Sequence, residues 1–419
     1  MPSVPGFASQ NGVLTCDDIP LAEIARVSQT PVHVYSGGLI AERYRALDAA
    51  FAGYPHRSHY AIKANATLGV VRLMRRLGAH ADANSGGEIE VALRAGFSPD
   101  EIVFTGVGKT RQELERAVTL GVRAINAESP GEIERIEAIA AARQTRARIA
   151  VRINPDVDAG SHPHISTGHH ATKFGMTVDA ARALVRDVIR RPHLEVVGLH
   201  VHVGSQITRP DPIARATDTV AALARDLMAD GIALQHLDVG GGLGIAYEPG
   251  QTVVPVAAYA AALIPAVRST GLTLVLEPGR WIVGPAGVLV TEIVDLKPRP
   301  DGDWFVIVDA GMTDLIRPAL YGAFHAIEAV SPRPGSPIRA DVVGPVCETA
   351  DTFAIDRTLP AVQVGDLLAI RDTGAYGAIM ASNYNRRPIA PEVLVENGQW
   401  RLIRRRQTID EMLMWDQPC

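Results

Sequence analysis

The chain has few cysteines, no excess of basic charge and no long apolar run. Its three cysteines, Cys16, Cys347 and Cys419, lie far apart, in an odd number and without zinc-type spacing. That pattern excludes a disulfide framework and a cysteine-built metal site. A formal net charge of −5 leaves no electrostatic footprint for nucleic acid or for an acidic membrane surface. No apolar stretch approaches the length of a bilayer span, and residues 1–12 have neither the basic region nor the apolar core of a secretory signal. The expected location is a reducing cytoplasm.

What is present is a folded globular composition, 47% hydrophobic and 21% charged over 419 residues, too long for one ordinary core. Residues 1 to 36 hold one expected strand, Pro31–Tyr35, and a helical pattern runs from Leu39 to Phe51. Short apolar strands, polar or glycine-rich tips and helices then alternate. Expected strands begin near His59, His80, Ile102, Arg123, Arg148, Val196, His236 and Leu272. Eight such units predict an α/β fold, a (β/α)8 barrel of the TIM type, over residues 37–286. From Gly287 short strands dominate: Trp304–Val308, Arg339–Val343, Thr352–Ile355 and Asp366–Arg371, then Glu392–Val395 and Gln399–Ile403 around the hairpin signal Asn397-Gly398. With residues 1–36 they predict a second, antiparallel β-barrel or sandwich domain carrying Cys347 and Tyr376.

Side-chain parity gathers polar groups on inward strand faces: Ala61, Lys63 and Asn65; His80, Asp82 and Asn84; His200, His202 and Gly204; Val275 and Glu277. Barrels of this type place their chemistry at the C-terminal strand ends. Lys63 reads as a lysine set into an apolar strand, where desolvation frees an amine for covalent chemistry. Gly240-Gly241-Gly242 after the seventh strand lets backbone approach a ligand closely, at a place where barrels often bind phosphate. Glu277 ends the eighth strand. It meets either a ligand cation, such as a pyridine nitrogen, or Arg280. His202, three residues before Ser205, offers an aromatic platform for a planar ring. Lys63, His202, Ser205, the three glycines and Glu277 together describe a pyridoxal phosphate site.

Tyr60-Ala61-Ile62-Lys63-Ala64-Asn65, Ser85-Gly86-Gly87-Glu88, His202-Val203-Gly204-Ser205-Gln206 and Glu277-Pro278-Gly279-Arg280 resemble the fold-type III pyridoxal phosphate-dependent decarboxylases, which share the alanine racemase-like architecture. Within them, residues 152–158, Lys173-Phe174-Gly175, residues 317–321, Cys347-Glu348-Thr349-Ala350-Asp351 and residues 380–385 resemble the diaminopimelate decarboxylases. The resemblance covers nearly the whole chain. It implies removal of CO2 from meso-2,6-diaminopimelate to give L-lysine, the last step of bacterial lysine biosynthesis, with pyridoxal 5′-phosphate as cofactor and no metal.

The resemblance also implies roles for residues. Lys63 would hold the cofactor, His202 stack on its ring and Asp82 lie near it. Ser205, Gly240, Gly241, Gly242 and Tyr376 would hold the phosphate, with Gly279 and Arg280 close by. Glu277 would pair with the ring nitrogen. Arg280, Arg317, Tyr321, Glu348 and Tyr376 would grip the substrate, and Cys347 would return a proton after CO2 leaves. In the family the loop bearing that cysteine reaches the neighbouring subunit's site, which implies a homodimer with shared active sites. Thr313, Gly322 and Thr349-Ala350 depart from the family's usual residues without touching a proposed catalytic group. The His- and Gly-rich stretch Ser161–Lys173 is expected to move on binding.

Three rival readings remain at this level. A decarboxylase for ornithine, arginine or carboxynorspermidine is opposed by the two arginines Arg280 and Arg317, which suit a second carboxylate on the substrate. A racemase is opposed by Glu277. An inactive regulatory relative is opposed by retention of both Lys63 and Cys347.

Overall fold

The computed structural model describes residues 5–157 and 173–416. Residues 161–172 of the expected mobile stretch, and Cys419, lie outside them. The chain forms two compact units: residues 44–245 with 252–281, and residues 1–43, 246–251 and 282–419.

The first unit is a closed barrel of eight parallel strands: His56–Ala61, His80–Ala83, Ile102–Phe104, Ala124–Ala127, Ala147–Ile153, Leu194–Val201, His236–Asp238 and Thr273–Leu276. Each pairs with its sequence neighbours, and the eighth closes on the first through Leu274–His56 and Leu276–Ser58. Local chemistry sets the helix boundaries between strands. Ser85 caps Gly86–Ala95, and Gly96 ends it in the left-handed region. Thr110 and Glu113 form a reciprocal capping box on Arg111–Leu120, which stops at left-handed Gly121. The motif Ser85-Gly86-Gly87-Glu88 is explained by this chemistry: Glu88 reaches back to accept from the Asn84 N–H at 2.7 Å. Burial pushes the Glu88 carboxyl up to about 7.

Lys63 does not sit in a strand. The first strand ends at Ala61, and Ile62–Ala64 is a single 3-10 turn. Tyr60 Oη donates to the Asn65 carbonyl at 3.0 Å, and the Asn65 side chain accepts from the Thr67 N–H at 3.0 Å. These bonds turn the chain just where the lysine leaves it. Two-residue parity therefore does not extend past Ala61.

The second unit is built on a nine-stranded sheet whose long member, Gly287–Pro298, pairs antiparallel with Val32–Ser36, Trp304–Val308 and Leu367–Ile370. The sheet is mostly antiparallel, but Trp304–Val308 runs parallel to Ile338–Val343, and Val32–Ser36 runs parallel to Glu392–Glu396. The expected antiparallel β domain is present, and these two parallel pairs within it come from long connections that no local signal encodes. The N-terminal stretch also holds more than one strand: Phe7–Gln10, Val13–Cys16 and Ile19–Pro20 form a small separate sheet. Its first turn is Asn11-Gly12, both with positive φ (51° and 78°). It is the same two-residue hairpin chemistry as Asn397-Gly398. Apolar clusters pack both faces of the large sheet, one around Val306, Val342 and Ile370, the other around Val34, Val288 and Val393.

No helix among the described residues is long and apolar enough to cross a membrane. Inside the barrel, Gly198 stands opposite His236, and a Cβ there would meet the buried His236 ring at 2.5 Å. Gly198→Ala is expected to lower the stability of the barrel by about 1–3 kcal/mol, read as a reduced urea midpoint of the intact chain.

Candidate active site

The barrel brings most of the sequence-marked residues to the C-terminal ends of its strands. Lys63 Nζ lies 3.2 Å from Asp82 Oδ2 and 3.4 Å from Asn84 Oδ1, and Asn84 Nδ2 donates to the same Asp82 oxygen at 3.1 Å. Thr105 Oγ1 donates to the other oxygen, Asp82 Oδ1, at 2.7 Å, and itself accepts from Asn126 Nδ2 at 2.9 Å. Asp82 is fully buried. Burial and the nearby Glu277 push its pKa up, against the Lys63 ammonium and the Thr105 and Asn84 hydrogen bonds. The lysine thus has one position, set by groups on the second strand and its loop. Thr105 and Asn126 carry no motif and were invisible in the sequence.

Glu277 follows directly on the eighth strand and is buried. Its side-chain partner is not Arg280, the alternative left open by the sequence. It is His200, whose Nε2 lies 3.3 Å from Glu277 Oε1 and 3.4 Å from Oε2. Burial alone would raise the Glu277 pKa. His200, Lys63 and His202 outweigh burial and hold it well below the usual carboxylate range. Glu277 Oε1 is a buried oxygen with no hydrogen-bond partner in the structure. A buried, ionised acceptor left unmet is costly, and it fits a ligand that brings a donor such as a protonated ring nitrogen.

Asp238, at the end of the seventh strand, completes a trio: a carboxylate oxygen each from Asp238 and Glu277 and a ring nitrogen of His200 all lie within 4.8 Å of one another. Two buried carboxyls so close cannot both ionise. Burial, and then Glu277, push Asp238 well above the usual range, so the pair shares one proton. Asp238 Oδ1 also accepts from the Gly240 N–H at 2.8 Å.

The triple glycine is required by close approach. A Cβ on Gly241 would meet the Glu277 carbonyl oxygen at 2.0 Å, and one on Gly242 (φ 105°) the Gly204 carbonyl at 2.4 Å. The N–H groups of Gly240 and Gly241 are engaged by Asp238 and by His202 Nδ1 (3.2 Å). These two glycines shape the loop, and their N–H groups are committed inside the protein. His202 Nδ1 is an acceptor here, so its ring is neutral with the proton on Nε2. Burial, the Lys63 ammonium and Arg152 lower its pKa accordingly. Arg280, itself buried, donates to Ser205 Oγ from Nη2 at 3.1 Å and from Nε at 3.3 Å, leaving an arginine and a hydroxyl side by side. Gly279 lies against the lysine turn, where a Cβ would stand 3.0 Å from Ala64 Cβ.

Arg152 belongs to a second layer of charge. It is paired with Glu128 and lies over the Phe174 ring at 4.7 Å, while Glu128 Oε2 accepts from the Gly175 N–H at 2.9 Å. Arg152 and the Phe174-Gly175 pair, from two separate motifs, therefore meet in space.

Arg317, Tyr321, Cys347, Glu348 and Tyr376 belong to the other unit. Arg317 and Tyr321 are the ends of one short helix, closed by left-handed Gly322, which explains the glycine found there. Cys347 is exposed, not a small buried hydrophobe. Its loop is pinned by buried Asp351, whose oxygens accept from the N–H groups of Met312 and Val346 (2.6 Å to Val346). Glu348 accepts from Tyr384 Oη at 2.6 Å. Tyr376 holds a left-handed backbone (φ 57°), a conformation that non-glycine residues keep where the surroundings enforce it.

A family model described as Pyridoxal-dependent decarboxylase, pyridoxal binding domain, matches residues 38–284. The diaminopimelate decarboxylase of Pseudomonas aeruginosa is 46% identical, with 97% of each chain covered. The crystal structure of diaminopimelate decarboxylase from Helicobacter pylori complexed with L-lysine superposes with a TM-score of 0.91 at 41% identity, covering 94% of this chain and 98% of that one. The enzyme of the same name from M. jannaschii, in co-complex with L-lysine, gives 0.94 at 34% identity, covering 99% and 98%.

The shared proton has a consequence for stability. The unfolded chain ionises both carboxyls above about pH 4.5, whereas the folded pair keeps one proton. Unfolding then releases that proton, and stability falls as pH rises through the neutral range, by up to about 1.4 kcal/mol per pH unit. Asp238→Asn keeps a donor toward Glu277 and removes the titration. Its urea midpoint is expected to be flatter from about pH 5 to 8 than that of the unaltered chain.

Proposed function

The chain belongs to the diaminopimelate decarboxylase family of pyridoxal-dependent decarboxylases, and from that premise we propose how its residues divide the removal of CO2 from meso-2,6-diaminopimelate and the release of L-lysine. The observation that carries the reading is the buried Glu277 Oε1, which makes no hydrogen bond although His200 Nε2 stands 3.3 Å away, on a carboxyl whose pKa His200 and the Lys63 ammonium lower. Pyridoxal phosphate, when bound, supplies the electron sink into which the bond from Cα to the departing carboxylate breaks.

The rest is the work of the protein. Lys63, steadied by Asp82 and Asn84, provides the amine that holds the cofactor and that the substrate amine displaces. Glu277 Oε1 keeps a proton on the ring nitrogen. His202, neutral and fixed by the Gly241 N–H, presents a flat face for stacking. Arg280 and Ser205 bind the phosphate, with the glycine loop admitting it by its lack of side chains and Tyr376 adding a hydroxyl. Arg317, Tyr321 and Glu348 hold the distal amino-acid end of the substrate, the carboxylate taking the guanidinium and the ammonium the acid. Arg280 adds positive charge for the substrate's carboxylates.

Cys347 returns the proton to the carbon that lost CO2. Its exposure on a loop braced by Asp351 suits delivery to a second copy of the chain, so the working unit is a homodimer with shared sites. Mixing Lys63→Ala with Cys347→Ala, each inactive alone, is expected to restore part of the activity. Continued inactivity of well-folded mixed dimers would place both groups on one chain.

Substrate identity is tested by offering meso-, LL- and DD-diaminopimelate, L-ornithine, L-arginine and L-lysine separately to the pyridoxal phosphate-loaded protein. L-lysine should form from the meso isomer alone. Arg317→Lys should raise KM for it by about tenfold or more, since a lysine cannot hold a carboxylate with two parallel bonds. Turnover of ornithine or arginine in its place would overturn the assignment.

A further inference from the structure

Arg317 is buried, and two side chains and a carbonyl outside any motif fix its plane. Its Nη1 lies 2.9 Å from His325 Nε2. On the far side of that imidazole, His325 Nδ1 lies 2.7 Å from the Arg371 carbonyl oxygen. A carbonyl only accepts, so Nδ1 carries the ring proton and Nε2 is left with its lone pair, which takes the guanidinium N–H. Beneath the guanidinium, Tyr247 presents its ring, with Arg317 Cζ 4.5 Å from the centroid. The same ring meets His325 edge-on at 5.4 Å and 74°. Arg317, His325 and Tyr247 therefore form a closed triangle, and His325 is fully buried within it.

We propose that His325, seconded by Tyr247, is the positioning residue that aims Arg317 at the distal carboxylate of the substrate and so sets the preference for a dicarboxylic amino acid. This rests on the reading of Arg317 given above. A guanidinium on a long side chain has considerable rotamer freedom, and ordering it on binding would cost affinity. Here the cost is met beforehand, because one N–H is held by a neutral imidazole and the face is stacked on a phenol ring. The guanidinium fork, which can take a carboxylate with two parallel bonds, is thereby held in a plane fixed by the protein. His325 touches no reacting atom.

His325→Leu removes the lone pair, and His325→Gln can keep an acceptor for Arg317 with a donor for the Arg371 carbonyl. In the cofactor-loaded protein, His325→Leu should raise KM for meso-diaminopimelate and the inhibition constant of L-lysine by about tenfold or more, the worth of a hydrogen bond to a charged group. The value of kcat should change little. Cadaverine, the same carbon chain with no carboxylate, should inhibit unchanged. His325→Gln should recover most of the loss, and Tyr247→Leu, on a different segment, should reproduce the pattern of His325→Leu in milder form. The proposal is overturned if KM stays unchanged, or if kcat and cadaverine binding fall together with lysine binding, as a purely structural role would require. Failure of the unaltered chain to turn over the meso isomer is a separate result: it would remove the functional reading and this inference with it.

Discussion

Three carboxyl groups, those of Asp82, Asp238 and Glu277, are buried inside one barrel, and the need to neutralise them organises everything around them. Carboxylates out of water are tolerated only with cations, donors or protons. Lys63 and Thr105 answer Asp82, His200 answers Glu277, and a retained proton answers Asp238. The lysine's position, the ionised state of Glu277 and the shape of the glycine loop all follow from that settlement. The loop is bound in through Asp238 Oδ1, and the His202 ring is then fixed by the loop.

The same solution separates Lys63 from a lysine buried in the barrel wall. The chain has four lysines, Lys63, Lys109, Lys173 and Lys297. Lys109 is the buried one, and its ammonium is committed to Glu132 at 2.8 Å and to the carbonyls of Gly106 and Asn126. Lys173 and Lys297 are exposed. Lys63 combines a partly open side chain with a carboxylate and an amide that hold it. Exposure separates the two: the Lys109 side chain is closed off from solvent and that of Lys63 is not.

Much of this was legible from the chain alone. The βα rhythm marked all eight barrel strands within a few residues, because strands buried on both faces and well-capped helices both leave local signatures. The Asn-Gly dipeptide at 397–398 marked one hairpin, whereas the hairpin around the same dipeptide at 11–12 was missed, its strands being only four residues long. Lys63, Glu277 and the three glycines stood out because a cation, an anion and a side-chain-free loop at apolar strand ends are each costly unless they serve a ligand. Asp238, Thr105 and His325 did not stand out, and His200 was placed on an inward strand face without a role. Each is an ordinary residue whose importance comes from a partner distant in sequence.

The sequence by itself determined the α/β rhythm, the strand-end chemistry and, through long motifs, the family to which the chain belongs. Those properties depend on residue type and on neighbours within a few positions, so they survive reading in one dimension. Only the tertiary structure decided that Glu277 answers to His200 rather than to Arg280, that Asp238 keeps a proton, that Lys63 leaves from a 3-10 turn, and that His325 aims Arg317. Each of those depends on distances of a few ångströms between residues that the chain brings together only on folding. Electrostatics and hydrogen bonding act across that gap, and no local pattern encodes it.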